Sequence, residues 1–174
     1  MPVIQGGLGL NARNHLYLSR YNPRAAKRVA DSKLLTKSIL RKNKLPVPKL
    51  YRIFRREEDV DKFDFTRLSE SFVVNPNRGW GGEGIVVIEN GGMWAGEWLD
   101  TGGGVWKVSD LKLHIGDILE GRFSMNDLPD IAFVEERVPI HAAFSKYAYQ
   151  GAPDIRVIVF NKMPIMAMLR LPTK

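Results

Sequence analysis

The amino-acid sequence predicts an α+β protein in which antiparallel sheets predominate and helices flank them. Two pairs of β-branched and aromatic runs, one joined by a glycine-rich loop and the other by a short turn, predict two hairpins. One stretch of the first third instead carries apolar residues at helical spacing, from residue 22 to residue 40. No internal repeat, low-complexity tract or linker interrupts the chain.

The composition is that of a soluble globular protein. The chain has 174 residues, of which 44% are hydrophobic and 26% are charged, enough for one domain or two small ones. The absence of cysteine excludes disulfides and thiolate chemistry. The three histidines do not have metal-ligand spacing. We find no signal-peptide pattern and no run approaching about 18 apolar residues, so a cytoplasmic location is the default expectation.

The positive charge is concentrated at one end of the sequence. Residues 1–56 hold 14 Lys and Arg residues and one acid, Asp31, a balance of +13. Residues 57–174 have a balance of −6, which gives the net +7 of the chain. A basic first third indicates an anionic partner. Nucleic acid, nucleotide phosphate and an acidic protein or lipid surface all remain open on this observation.

The first third predicts an extended lead-in followed by helices. Residues 1–10 are glycine-rich and apolar, and residues 11–21 are long enough for one or two helical turns. Asn22-Pro23 is a good helix start, with asparagine as the N-cap and proline as the first helical residue. The Asp31-Ser32 pair is a candidate division of this helix into two. The L-P-V-P sequence at 45–48 ends it, because proline forces the preceding residue out of helical conformation.

A glycine-rich hairpin dominates the middle of the chain. The strand-forming runs Phe72–Val74 and Ile85–Ile88 flank a loop that contains four glycines, Gly79, Gly81, Gly82 and Gly84. Bare backbone of this kind favours either phosphate binding or a merely flexible hairpin tip. Before the hairpin, residues 49–54 predict a strand and 56–63 a polar helix. After it, residues 90–104 predict an exposed, mobile extension of the hairpin sheet.

The last third predicts a helix, a strand and a second hairpin. Ser109 is a candidate N-cap for a helix over 110–119, which Gly121 ends. Residues 131–138 predict a strand that becomes polar toward its end. Residues 154–160 and 164–171 predict the second hairpin, which has a mostly apolar interior. Its methionines are interpreted as core or interface residues.

Five segments of the sequence, in this order, resemble the ATP-grasp superfamily. The closest resemblance is to α-L-glutamate-ligase-related or sugar-transfer-associated ATP-grasp proteins, and it covers essentially the whole chain. The segments are A-D-S-K-L-L-T-K, L-P-V-P, S-F-V-V-N-P-N-R-G-W-G-G-E-G-I-V-V-I, V-E-E-R-V and P-D-I-R-V-I-V-F. The resemblance implies that ATP lies between two α+β subdomains. It also implies that a carboxylate is activated as an acyl phosphate, which an amine then attacks.

The resemblance also implies a division of the chain into three segments. Residues 1–70 would form a basic helical segment with its lead-in. Residues 71–130 would form the small lobe of an ATP-grasp fold with a covering helix. Residues 131–174 would begin the second lobe.

The resemblance implies roles at the phosphate end of a nucleotide site. Lys33 matches the first phosphate-binding lysine of the family, although a solvated lysine on a helix surface is the alternative. Lys37, one turn later, is interpreted as a surface residue. The loop from Arg78 through Gly84 resembles the flap over the triphosphate, where amide donors and the guanidinium would meet charge that develops during phosphoryl transfer.

Other matched positions concern the base and the substrate. The segment Glu135–Val138 resembles the hinge whose backbone reads the adenine edge, with Glu135 or Glu136 as a ribose ligand, unless these acids simply form an exposed strand end. Arg156 and Arg170 lie on adjacent predicted strands, where they are candidates to grip a carboxylate or phosphate. A same-strand ion pair between Asp154 and Arg156 is the alternative.

Two departures from the family pattern lower the expected activity. Asn75 occupies a position where the family generally has a phosphate-binding lysine, so nucleotide affinity or rate should fall, with Arg78 as a partial substitute. The family's Mg2+ ligands, acids and asparagines, lie on strands beyond the position of Leu171, past the last residue of this sequence, Lys174. We therefore expect a truncated or naturally shortened ligase with ATP and Mg2+ as cofactors, weakly active or inactive alone.

Two alternative functions remain. One is a non-catalytic nucleotide-binding or protein-interaction scaffold. The other is nucleic-acid binding through the basic first third, which is the least favoured because no DNA- or RNA-binding motif is present. The second hairpin has an unfinished apolar edge, so the sequence also predicts a homodimer or a partner chain, or else limited solubility.

Overall fold

The structure is a computed structural model that describes residues 7, 9–79, 81–144, 146–147 and 151–172. Its described part combines helices with two antiparallel sheets, which confirms the predicted α+β class. Most of the predicted lead-in, Trp80 of the glycine-rich loop, and Thr173 and Lys174 lie outside the described residues. Among the described helices, none has the length and apolar character needed to cross a bilayer.

The helices and strands alternate in short stretches along the chain. The helices are α1 Leu10–Ala12, continued by a π-helical turn Arg13–Leu18, α2 Ser19–Tyr21, α3 Arg24–Asp31, α4 Lys33–Lys42, α5 Glu57–Asp61 and α6 Val108–Leu119. Three 3-10 turns are Phe65–Arg67, Met125–Asp127 and Ala142–Phe144. The strands are β1 Leu50–Phe54, β2 Phe72–Pro76, β3 Val86–Gly91, β4 Glu97–Asp100, β5 Val105–Lys107, β6 Ala132–Glu135, β7 Asp154–Phe160 and β8 Met163–Arg170.

The main sheet has six antiparallel strands in the order β1-β6-β2-β3-β4-β5. Strand β6 lies between β1 and β2, so that Phe133 pairs with both Ile53 and Asn75. It is shorter than the strand predicted over 131–138, because the chain leaves the ladder after Glu135. The sheet takes strands from all three of the predicted segments, and the proposed division of the chain into lobes stays a prediction.

One face of this sheet packs against α6 and holds the core. Leu111 and Ile115 of α6 are fully buried, as are Phe72 and Val74 of β2. Successive side chains of a strand point to opposite faces, so Val73 and Asn75, which alternate with Phe72 and Val74 on β2, lie on the other face. Helix α4 and the candidate site lie there, as described below.

The prediction that residues 90–104 form an exposed extension of the hairpin sheet is wrong in one respect. The segment does extend the hairpin sheet, through β4 and β5. Trp98 of β4 is nevertheless only 4% exposed, and its ring packs edge-on against Phe72 with the centroids 5.6 Å apart. Added antiparallel strands bury every second side chain, so this tryptophan joins the core.

Three helix starts and ends test the capping predictions. The predicted N-cap Asn22 is wrong: α3 begins at Arg24, with Pro23 in the N-cap position. The predicted break at Ser32 is confirmed, because its hydroxyl oxygen accepts a hydrogen bond from Leu35 N at 3.2 Å and caps α4. Ser109 is not the cap of α6, which starts at Val108, where the Asp110 carboxylate binds the preceding backbone N–H instead.

The second hairpin, β7 and β8, forms as predicted but does not enter the core. Its turn residues Asn161 and Lys162 have φ of 46° and 66°, the left-handed pair typical of a tight hairpin turn. The side chains of both strands are exposed almost throughout, so the expected apolar interior and the core role of its methionines are wrong. Among the described residues, Phe160 connects the hairpin to the N-terminal helices, because its ring packs against those of Tyr17 and Tyr21.

Candidate functional site

A cleft of about 430 Å3 opens on the sheet face that does not carry α6. It collects three of the predicted site residues, Glu135, Glu136 and Val138. Around them lie further apolar and polar groups, Pro48, Val73, Val87, Glu89, Thr101, Arg137, Ile140, Gly151 and Ala152. A larger hollow of about 530 Å3 lies between the N-terminal helices, but it contains none of the predicted site residues.

Glu135 is the most buried acid of the cleft, with 8% of its surface exposed. Its Oε1 accepts a hydrogen bond from Asn75 Nδ2 at 3.0 Å, and its Oε2 lies 2.6 Å from Lys37 Nζ. The interpretation of Lys37 as a surface residue is therefore wrong. Its side chain is 17% exposed and neutralises a buried carboxylate. Asn75, the position that departs from the family pattern, is itself 5% exposed and bound to that carboxylate.

Lys33 lies at the start of α4, next to the end of β2. Its Nζ donates a hydrogen bond to the backbone oxygen of Pro76 at 2.6 Å. Burial lowers the pKa of the Lys33 ammonium from its ordinary value, and the nearby carboxylates of Asp130 and Glu135 oppose that shift. The phosphate role of Lys33 stays a prediction.

Asn77 joins α4 to the loop, and the sequence analysis missed it. Its backbone oxygen accepts from Lys33 N at 3.1 Å, and its Oδ1 accepts from Leu34 N at 2.9 Å and from the Ser32 hydroxyl at 3.0 Å. These bonds satisfy donors that the first turn of a helix leaves free. Asparagine is a common cap, but the capped helix lies more than 40 residues upstream, so no local pattern identifies this role.

The glycine-rich loop is fixed at both ends and open at its tip. At its start, Arg78 N donates to Asp130 Oδ2 at 2.7 Å. At its end, His114 Nε2 lies 2.9 Å from the backbone oxygen of Gly84, where a β-carbon would come within 2.6 Å of the Phe123 ring. The tip residues Gly81 and Gly82 have positive φ and open space around them, and Gly79 lies tightly against Pro76. The Arg78 guanidinium is exposed, 3.6 Å from Asp31.

Glu136 and Val138 line the cleft in different ways. Glu136 exchanges two bonds with Lys49: its Oε2 accepts from Lys49 N at 3.0 Å, and its own N–H donates to Lys49 O at 2.8 Å. Its carboxylate is thus engaged by the chain entering β1. Val138 is 60% exposed at the mouth of the cleft. Between them, Arg137 forms an ion pair with Glu89 of β3, which the sequence analysis also missed.

The predicted catalytic arginines lie on the exposed hairpin. Arg156 pairs across the ladder with Met168, and Arg170 pairs with Asp154. The Asp154 carboxylate accepts hydrogen bonds from the Arg170 guanidinium, which lowers the pKa of Asp154. The same-strand alternative, an Asp154–Arg156 pair, is therefore wrong. Neither arginine lines the 430 Å3 cleft.

Among the described residues, no group of three or more histidine, aspartate or glutamate side chains is arranged to hold a metal ion.

Comparison with known proteins identifies one family. A family model described as sugar-transfer associated ATP-grasp matches residues 12–174. No curated protein and no solved structure matches the chain.

Proposed function

The chain belongs to the sugar-transfer associated ATP-grasp family, and from this premise we propose that its 430 Å3 cleft binds ATP for a carboxylate–amine ligase. One observation carries the proposal. The cleft combines the segment Glu135–Val138 with the apolar side chains of β2 and β3, directly beside the strand that leads into the glycine-rich loop. A flat apolar slot with a polar edge suits a nucleobase.

The base would lie between apolar walls. Val73 and Val87 pair across β2 and β3 and offer one wall, and Ile140 contributes to the other. The backbone N–H and C=O groups of Arg137 and Val138 form no hydrogen bond within the described part of the chain. They are therefore available to a purine edge. Glu135, held by Asn75, would accept from its exocyclic amine.

The phosphates would lie toward the glycine-rich loop. Lys33, Arg78 and the amides of Gly79 and of residues 81–84 would form the basic and donor-rich side of the site. Lys33 would exchange its bond to Pro76 O for a phosphate oxygen, which is a stronger acceptor because it is charged. The loop, fixed at Arg78 and Gly84 but open between them, would close over the triphosphate.

The proposed reaction transfers the γ-phosphoryl group of ATP to a carboxylate, giving an acyl phosphate and ADP. An amine then displaces phosphate and forms an amide. Arg156 and Arg170 are the proposed ligands of the carboxylate substrate. Among the described residues no group of three or more acids or histidines is arranged for a metal, and no step is assigned to one.

A non-catalytic role is the second candidate, and one observation favours it. The guanidinium of Arg170 is already engaged by Asp154, and both proposed catalytic arginines lie outside the cleft. A protein with this arrangement would bind the nucleotide without consuming it.

Calorimetric titration of Mg-ATP into the full chain tests the proposal. We expect saturable binding that weakens about tenfold or more in Lys33→Ala, because a charge-assisted bond to phosphate is lost. Lys42→Ala, on the exposed end of the same helix, is the matched control and should bind like the wild type. Absence of binding at millimolar ATP would contradict the proposal. Binding without ADP release in the presence of carboxylates and amines would select the non-catalytic candidate.

We also propose that the β7–β8 hairpin pairs with a second copy or a partner chain. Its apolar side chains are exposed on both strands, including Ile155 at 69% and Ile165 at 64%. Exposed apolar surface of this kind favours association. Sedimentation velocity across a range of concentrations should reveal a dimer that Ile155→Lys disperses. A sharp monomer at the highest concentration would contradict it.

A further inference from the structure

A buried ionic cluster formed by Lys37, Asn75 and Glu135 adjoins the cleft. Burying a carboxylate is costly unless a cation neutralises it and hydrogen bonds satisfy its oxygens. Glu135 Oε1 accepts a hydrogen bond from the Asn75 amide, whereas Oε2 has no hydrogen bond among the described residues and faces the Lys37 ammonium as an ion pair at 2.6 Å. Among the described residues, Lys37 is the one cation that forms an ion pair with this carboxylate. The position of the Glu135 carboxylate is therefore set in part by α4.

The neighbouring lysine does not supply this charge by contact. Lys33 lies four positions before Lys37, on the same side of α4. Its ammonium is bound to Pro76 O, so it acts on Glu135 only through space. The two lysines thus have different partners. Lys33 binds Pro76 O, near the start of the glycine-rich loop, whereas Lys37 binds the Glu135 carboxylate.

The ammonium of Lys37 is held in place from several sides. The first turn of α4 is fixed by Ser32 and by Asn77, which anchors the helix to the end of β2. The Lys37 Nζ also lies over the Phe133 ring of β6, 5.9 Å from its centroid. Glu135 lies two residues further along that strand, on the same face. Helix, strand and ring together define where this charge lies.

Lys37 contributes to the cleft without lining it. Glu135 is one of the lining residues, whereas Lys37 lines a separate groove between α4 and β1. We propose that Lys37 is a positioning residue for the nucleotide site: it holds the Glu135 carboxylate in place beside the base, and does not touch the nucleotide. This inference rests on the proposed binding of ATP. In this arrangement the Glu135 carboxylate has its positively charged partner on α4, at Lys37, and its neutral amide partner on β2, at Asn75.

Titration of ATP and of AMP into the full-length variant Lys37→Met tests this role. Both nucleotides carry the same base, so an effect transmitted through Glu135 should weaken both to the same extent. We expect about tenfold weaker binding or more, the usual consequence of disturbing a hydrogen bond to a charged group. Lys42→Met is the matched control on the same helix and should leave both affinities unchanged.

Moving the charge to the neighbouring strand provides the rescue. In Lys37→Met/Asn75→Lys, an ammonium on β2 should reach the same carboxylate, because the Asn75 side chain already contacts it. Binding of both nucleotides should recover, and Lys37→Arg should keep most of it. If Lys37→Met alone does not fold, the double variant decides: restored binding of adenosine, which has no phosphate for a lysine at position 75 to contact, supports the proposal, and its absence overturns it.

Three results would count against the inference in distinguishable ways. Unchanged affinities in a folded Lys37→Met would overturn the role of Lys37 and leave ATP binding intact. A loss confined to ATP would overturn it too, because Lys37 would then act on the phosphates. A wild-type chain that binds neither ATP nor AMP would overturn the proposed function, and this inference with it.

Discussion

The six-stranded sheet and the β7–β8 hairpin differ in burial although both are built from apolar strands. In the sheet, Phe72, Val74 and Ile88 have no exposed surface. In the hairpin, Ile155 and Ile165 are about two-thirds exposed, at 69% and 64%. The sheet is covered by α6, whereas the described contact of the hairpin with other elements is a small aromatic cluster around Phe160.

This difference shows that apolar composition does not by itself bury a strand. Burial requires a second layer, and α6 supplies it because its apolar residues, such as Leu111 and Ile115, recur every four positions. The candidate nucleotide site uses the covered sheet as its support. Residues that must hold a ligand precisely are best placed on such rigid elements. Glu135 on β6 and Asn75 on β2 meet this requirement.

The largest expected difference in the free energy of unfolding is between two truncations, one of an apolar side chain in the sheet and one in the hairpin. Phe72→Ala should destabilise the protein by about 3–5 kcal/mol, because it removes a fully buried ring and leaves a cavity beside Trp98. Ile155→Ala, in the hairpin, should change the free energy of unfolding by no more than about 0.5 kcal/mol. Urea denaturation at low protein concentration measures both. Equal effects would mean that the hairpin shares a core with the sheet.

A smaller effect is expected from an aspartate of the sheet. Asp100 ends β4, and its carboxylate accepts bonds from Gly102 N, Gly104 N and Trp106 Nε1 at 2.8, 2.8 and 2.9 Å. Asp100→Ala should cost about 1–3 kcal/mol, because the half-buried Trp106 indole loses its partner. Urea denaturation at neutral pH measures this loss.

The same network makes the stability of the sheet depend on pH. The hydrogen bond from Trp106, followed by those from the backbone, lowers the pKa of Asp100. Its stabilisation is therefore complete above the ordinary aspartate pKa of about 3.9 and is lost as the pH falls through the lowered value. The difference in the free energy of unfolding between the wild type and Asp100→Ala should therefore become smaller as the pH falls over that range. Asp154→Ala is the matched control on the hairpin, where the pair with Arg170 is exposed, and should not change the stability measurably.

Local elements of the fold were predictable because their signals lie within a few residues. The break at Ser32, the end of α6 at Gly121 and both hairpins follow from capping, positive φ and alternation. Gly121 illustrates the reason: with φ of 93°, a β-carbon there would come within 2.4 Å of Leu128 O. Only glycine fits such a position, and glycine is visible in the sequence.

The site was predictable by its residue types and not by its contacts. Glu135, Glu136 and Val138 do share one cleft, but nothing in the sequence distinguishes Lys37 from a solvated lysine. Its partner Glu135 lies on a strand nearly 100 residues later, and the register of β6 between β1 and β2 decides their meeting. The segment around Trp98 was expected to be exposed for a different reason, because its many glycines are typical of a surface loop, although the packing role expected of Trp98 itself agrees with its burial.

The place of β6 in the sheet sets the order in which the protein can fold. β6 is the last of the six strands in sequence and yet lies between β1 and β2, and the contact between Lys49 and Glu136 joins positions 87 residues apart. Contacts of such high sequence separation slow folding, because the intervening chain must be ordered first. During synthesis, β1 and the edge of β2 that faces β6 would stay unpaired until β6 is made, whereas β2 can already pair with β3. A chaperone that shields these edges would therefore raise the yield of native protein.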